Sequence, residues 1–223
     1  MNKNVREIER LIEDSRLSTV DEDYQGAIES MEKALEIIEK YPFLGSSYLD
    51  FVLWTLGNLY GVAKQYEKAV KIEELEISNM LKRYHITCLN NAKLSEEDAS
   101  RLISLYLCLG TAYMNLDQSE KARDQYAMGY TVAYVHFGEF DVRTLKQAYN
   151  IACRELLSGD QAEGIRQLKY CYYDMREHLG ESSEYTQKAR SVLLQVEENP
   201  DELYAKHMEM RKIVGEEFSK MWQ

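Results

Sequence analysis

The chain has 223 residues and a formal charge of -11, from 38 Asp and Glu against 27 Lys and Arg. Hydrophobic residues make up 45% and charged residues 29%, with two prolines and four cysteines. That composition fits a globular chain able to bury a substantial core and excludes disordered, collagen-like and disulfide-dense classes, while the acid excess argues against nonspecific binding to nucleic acid or an anionic membrane surface.

The opening MNKNVREIERLIEDSRL carries charges throughout and holds no apolar leader core. No later segment has the apolar length that a bilayer span needs, so a soluble, cytoplasmic protein is expected. A first short helix near residues 3 to 16 leads through SRLSTVDED into a second near 21 to 40, where Ile28, Met31, Ala34, Leu35 and Ile38 keep helical spacing. Tyr41-Pro42 and Gly45-Ser46-Ser47 stop it, and Ser47 with Asp50 gives a weak capping start to a third helix. The third and fourth helices, near 48 to 63 and 66 to 84, enclose only Ala63-Lys64-Gln65, so they must lie antiparallel.

After CLNNAKLSEED, Ser95 and Asp98 cap a helix near 96 to 116, and Asp117 with Glu120 predicts the cap of the next, near 118 to 137. Gly138 and Asp141 punctuate a seventh helix to about Leu157. Asp160 to Glu163 repeats the cap pattern for an eighth ending at His178-Leu179-Gly180, where Gly180 suits the left-handed C-terminal position. Glu181-Ser182-Ser183 starts a ninth to about Val196, and Asn199-Pro200 starts the last with Asn as cap and Pro in the first turn. No period-2 segment bounded by hairpin turns argues for strands.

Two segments share one grammar. Leu56-Gly57-x-x-Tyr60 is followed by Ala69, and Leu109-Gly110-x-x-Tyr113 by Ala122. Ala27, Ala69, Ala122 and Gly164 recur at intervals of 42, 53 and 42 residues, early in the second helix of successive pairs. A bulky side chain there would hold paired helices apart. Glycine inside a helix costs about 1 kcal/mol relative to alanine, so Gly57 and Gly110 need a packing reason. Tyr60, Tyr66, Tyr113 and Tyr126 supply large rims around those contacts.

These residues resemble the tetratricopeptide repeat family at Leu53-x-x-Leu56-Gly57-x-x-Tyr60 with Tyr66 and Ala69, and again at Tyr106-x-x-Leu109-Gly110-x-x-Tyr113 with Ala122 and Tyr126. The 42-residue intervals exceed that family's period of about 34 residues, a long form similar to the repeats of kinesin light chains and many bacterial regulatory proteins. Leu53 replaces the usual tryptophan, and Glu73 stands where the family usually has an aromatic. The resemblance implies an all-α, right-handed α-solenoid of about five antiparallel helix pairs over residues 1–223, with 182–223 as the final pair and C-terminal cap.

The resemblance also implies a concave groove lined by the first helix of each pair, receiving a peptide or partner helix. Its positions fall on Phe51, Trp54 and Asn58, then on Ser104, Leu107, Thr111, Met114 and Asn115, and in the fourth pair on Tyr149, Cys153 and Leu156. The first two sets form a helical stripe displaced from the Leu-Gly-x-x-Tyr stripe. An Asn58 amide suits pairing with a peptide backbone, or bonds locally within its helix. Trp54 offers apolar contact area, or packs between repeats. A clamp for a terminal carboxylate lacks support, because Trp54 stands where such clamps place a lysine.

No HExxH, GxGxxG or GxxxxGK[ST] pattern is present, and His85, His136, His178 and His207 are scattered, so neither catalysis nor a cofactor or metal is expected. The Glu73-Glu74-Glu76 cluster reads as solvated helix charge, and Cys88, Cys108, Cys153 and Cys171 as buried free thiols. The expected function is a protein- or peptide-binding scaffold whose partner is basic or carries apolar anchors, with no nucleic acid and no membrane. Alternatives are a peptide-responsive regulatory sensor and a self-associating subunit, the latter through a C-terminal helix bearing Phe218 and Trp222, which otherwise caps the final repeat.

Overall fold

Helices separated by short turns account for nearly all of the computed structural model, which describes residues 3–44, 46–158, 161–196 and 199–221. The elements are α1 (Lys3–Val20), α2 (Tyr24–Lys40), α3 (Ser46–Val62), α4 (Tyr66–Arg83), α5 (Glu96–Asn115), α6 (Ser119–Phe137), α7 (Val142–Ser158), α8 (Gln161–His178), α9 (Glu184–Val196) and α10 (Pro200–Met221). The fold is an all-α solenoid of consecutively packed helices, and no strand occurs among the described residues. None of the described helices is long and apolar enough to cross a membrane.

Contacts divide the chain into two compact units, Met1–His136 and Phe137–Gln223. In the first unit each helix from α1 to α5 packs on the next. Ile8, Leu11, Ile28, Met31, Ile38, Val52, Leu56, Leu59 and Tyr60 form a common core around the small residues Ala27, Ala34 and Ala69. Ala27, Ala69 and Ala122 are fully buried, as a close helix contact requires. A β-carbon on Gly110 of α5 would come within 2.5 Å of the Tyr126 ring of α6, so that glycine permits the approach. In the second unit α7, α8 and α9 pack in series around Leu145, Ala152, Leu168, Tyr172, Met175, Ala189 and Leu193. There a β-carbon on Gly164 would lie 2.6 Å from the backbone nitrogen of Leu156.

The repeated tyrosines join successive pairs. The Tyr60 hydroxyl donates to Glu32 of the preceding helix at 2.6 Å, and Lys68 of the following helix lies over its ring at 5.1 Å. One repeat later, Tyr113 donates to Glu74, with Lys121 at 5.2 Å from its ring centre. Burial and the facing carboxylate raise both phenols, Tyr113 to about 12.

Three expectations at helix ends are corrected. α1 runs on to Val20, since SRLSTV contains no breaker and Thr19 bonds back to the Ser15 carbonyl at 2.8 Å. Asp117 does not cap α6: it has φ +58° and sits inside the turn, as Glu22 (φ 60°) and Lys64 (φ 58°) do in the two earlier pairs. Each of these turns closes with the same pair of bonds, for example Lys64 N–H to Gly61 O at 3.1 Å and Gln65 N–H to Tyr60 O at 2.8 Å, a Schellman closure made without glycine. Asp50 does not cap α3 either, because its carboxylate accepts from Arg83 at 2.7 Å.

Other local expectations hold. Ser95 accepts from the Asp98 amide at 3.1 Å, Asn199 accepts from the Glu202 amide at 3.2 Å, and Gly180 has φ +86°. Asp160 lies outside the described residues.

Candidate functional site

α3 and α5, the first helices of two successive pairs, run side by side and present the stripe marked in the sequence. Leu53, Leu56, Leu105 and Leu109 point into the core with at most 2% exposure, whereas Phe51, Asn58, Thr111 and Asn115 are exposed and Trp54, Ser104 and Leu107 half-buried. Two cavities open along this face. One, of about 460 Å³, is lined by Asp50, Phe51 and Trp54 of α3 and by Ser100, Arg101 and Ser104 of α5. The other, of about 360 Å³, is lined by Gly57, Asn58, Gly61 and Val62 of α3, by Tyr66, Ala69 and Glu73 of α4, and by Leu107, Cys108, Thr111, Ala112 and Asn115 of α5. Met114 is half-buried on α5, outside both linings.

Arg101 was not singled out by the sequence, yet it organises the first cavity. Its guanidinium donates to Glu76 of α4 at 2.8 Å and to the Asp50 carbonyl of α3 at 2.6 Å, and it lies 5.9 Å from the Trp54 ring centre. It therefore ties three helices together while presenting its stem and Trp54 as one surface.

The polar stripe is organised by bonds to its own helices. Asn58 Nδ2 donates to the Trp54 carbonyl at 2.7 Å and Asn115 Nδ2 to the Thr111 carbonyl at 2.9 Å. The Thr111 hydroxyl reaches the Leu107 carbonyl at 2.9 Å and the Tyr126 hydroxyl at 3.3 Å. Each asparagine thus turns its nitrogen to its own helix, and the carbonyl oxygen of the amide is left as an acceptor for another group.

The reading of Glu73 and Glu76 as solvated charge is overturned. They are 4% and 1% exposed, on the inner side of α4. Glu76 is answered by Arg101, which opposes the upward push of burial on its carboxyl. Among the described residues no such cation answers Glu73: burial, then the nearby Glu76, raises it to about 8. The sequence held one signal, the acid at a place where the resembled repeat carries an aromatic. Cys88 is exposed, contrary to expectation, while Cys171 is buried and Cys108 and Cys153 are half-buried; all four are free thiols.

In the second unit Tyr149 and Cys153, one turn apart on α7, are half-buried, and the Tyr149 hydroxyl pairs with the Cys153 thiol. Burial raises both groups, so neither is an activated nucleophile. Lys146 lies 5.7 Å from the Tyr185 ring centre. At the start of α10, Asp201 accepts from Tyr172 at 2.9 Å, Arg176 at 2.6 Å and Arg190 at 2.8 Å, joining α8, α9 and α10 and lowering its own carboxyl to about 2. The Phe218 side chain and Trp222 lie outside the described residues.

A further cavity of the first unit, about 620 Å³, has a mainly apolar lining that includes Ile77, Leu81, Ile86, Tyr106, Leu109 and Met128. No group of three or more His, Cys, Asp or Glu among the described residues is arranged to hold a metal ion.

No family model matches the chain, and no curated protein is similar to it by sequence. Among solved structures it is similar to BtubC (BKLC) from P. vanneervenii, with a TM-score of 0.53 and 13% identity over 93% of each chain. At that identity the likeness is one of fold, an all-helical repeat architecture extending along nearly the whole of both chains.

Proposed function

We propose that the protein is a binding scaffold whose first unit holds an extended segment of a partner protein in the groove between α3 and α5. The observation that carries this reading is the pair of cavities along one face, each lined by residues of both helices. From Trp54 to Asn58 and from Ser104 to Thr111 the helices rise by about 6 to 10 Å. Alternate side chains of an extended peptide are about 7 Å apart, so one peptide face can fill both cavities.

Phe51 and Trp54 supply rigid aromatic area for an apolar anchor, and the amide oxygens of Asn58 and Asn115 accept backbone N–H groups. The chain's excess of acid over base favours a basic segment and speeds its encounter.

The test is capture of partners from a native lysate by wild-type protein and by a folded Trp54→Ala/Asn58→Ala variant, followed by mass spectrometry. Specific partners lost with the variant support the groove. Equal recovery with both proteins removes it as the binding surface.

A further inference from the structure

Glu73 forms part of the wall of the second groove cavity in a way that structural packing does not explain. It is 4% exposed, and its Oε2 is buried without a hydrogen-bond partner among the described residues. A carboxyl deprived of water normally receives compensating donors or a cation. Glu76, one turn along the same helix and equally buried, has Arg101 on its Oε1, although its Oε2 likewise has no hydrogen-bond partner among the described residues. At Glu73 the position facing it from α3 is Gly57, where a β-carbon would lie 3.2 Å from Glu73 Cγ, and the cavity opens beside them.

The remaining lining sets the chemistry of the occupant. Val62, Leu107 and Ala112 make an apolar wall, and Val62 is 56% exposed at the groove surface. The polar groups offer mainly lone pairs: the Thr111 hydroxyl already donates to Leu107, and each asparagine spends one amide N–H on its own helix and leaves its carbonyl oxygen as an acceptor. An anion would meet lone pairs and a buried acid. A cation on an apolar stem meets both halves of the cavity.

We propose that this cavity is a subsite for the alkylammonium group of one lysine side chain of the bound segment, its four-carbon stem along Val62 and Leu107 and its N–H donors on the Glu73 carboxyl and the Thr111 hydroxyl. The proposal rests on the groove reading above. A lysine matches better than an arginine, because Glu73 Oε2 is fully buried and a planar five-donor fork needs both carboxyl oxygens within reach, whereas a compact ammonium can use one.

Occupation carries a proton balance. The groups facing Glu73 are Glu76 and Tyr66 on α4 and Cys108 on α5, with Arg101 of α5 held on Glu76; the α3 wall of Gly57, Asn58, Gly61 and Val62 does not titrate. In the free protein burial raises the Glu73 carboxyl, so it is mainly neutral at pH 7. The arriving ammonium favours the carboxylate, and the Glu73 proton passes to the buffer while the amine keeps all of its own.

The probe is Nα-acetyl-lysine N-methylamide, added to the full chain at millimolar concentration, with the norleucine, Nε-acetyl-lysine and arginine analogues as comparison arms. Binding is read from the side-chain carboxyl ¹³C signal of Glu73 at pH 7 and by calorimetry in buffers of different ionisation enthalpy. The expected result is saturable movement of that signal to the ionised position, release approaching one proton per site, and at least tenfold weaker binding of the three analogues and of the lysine probe to Glu73→Gln. Glu97→Gln, at an exposed position, keeps wild-type binding. An unmoved Glu73 signal, equal binding of the norleucine or arginine analogue, or undiminished binding to Glu73→Gln overturns the subsite. The single-residue probe needs only the cavity, so failure of the longer groove appears separately, in the partner capture.

Discussion

Glu73 runs its side chain past the bare backbone of Gly57, Cγ standing 3.2 Å from where a β-carbon would be. One glycine in the repeat grammar therefore admits a carboxyl, whereas Gly110 in the equivalent place faces the Tyr126 ring at 2.5 Å. The same helix position serves ordinary packing in one repeat and a buried acid in the other.

Gly57, Gly110 and Gly164 predict different outcomes for alanine. Alanine gains about 1 kcal/mol of helix propensity at each. Gly164→Ala sets its β-carbon 2.6 Å from the Leu156 backbone nitrogen, which cannot swing away, and is expected to lose about 1–3 kcal/mol. Gly110→Ala is expected to lose a similar amount against the Tyr126 ring. At Gly57 the neighbour is the flexible Glu73 chain, so the change should stay within about 1 kcal/mol. Urea denaturation of the three variants measures this order.

Lys64 and Asp117 adopt left-handed backbone at φ +58° in matching turns. For a non-glycine residue that conformation costs about 1–2 kcal/mol, less for Asp, against the chain-entropy disadvantage of glycine. Lys64→Gly is expected to stabilise by about 0.5 kcal/mol or more and Asp117→Gly by less. Thermal melts of the two single variants and the double variant test both the sign and the order.

Glu73 gives stability a definite pH dependence. Its folded pKa, about 8, lies above the ordinary carboxyl value of 4.5. The folded state thus holds a proton that the unfolded state has released, and the penalty grows as pH rises from about 4.5 to about 8 and then levels. Glu73→Gln carries no such titration. Its stability advantage over wild type should be small at pH 4.5 and reach a few kcal/mol at pH 8.5, at about 1.4 kcal/mol per unit of pKa separation. Denaturation curves at the two pH values measure the gap.

Asp201 behaves oppositely. Its pKa is lowered to about 2 by Arg190, Tyr172 and Arg176, so its contribution is complete above about pH 4 and lost as pH falls toward about 2. The side chain is 40% exposed, and screening holds the effect of Asp201→Asn to about 1 kcal/mol. At pH 7 that variant should speed amide exchange in α9 and α10 several-fold and leave α1 to α5 unchanged.

Much of the architecture was legible because its causes are local. Turn residues, helical periodicity and the spacing of Ala27, Ala69, Ala122 and Gly164 mark helix pairs directly. The turn at Ala63-Lys64-Gln65 was legible too, but the left-handed backbone of Glu22, Lys64 and Asp117 was not, since residues other than glycine take that conformation there, and Asp117 looked instead like a cap. The stripe on α3 and α5 was placed by the family resemblance, and its offset from the buried Leu-Gly-x-x-Tyr stripe agrees with its partly exposed face. Arg101 and Glu73 were not legible, because which partner a charge meets across 25 residues, as from Glu76 to Arg101, depends on packing that no local pattern carries. The face of α4 that buries Glu73 and Glu76 is also set by contact with α3 and α5 rather than by its own composition.

Site-specific photocrosslinking tests the groove most directly. A benzoylphenylalanine placed at Phe51, or at Leu107 in the second cavity, should crosslink one partner segment in lysate through residues two positions apart, and placed at Val20, exposed on α1, should leave it uncaptured. Crosslinks to that partner from Val20 as strong as those from Phe51 and Leu107, or from Val20 alone, would contradict an extended segment bound between α3 and α5.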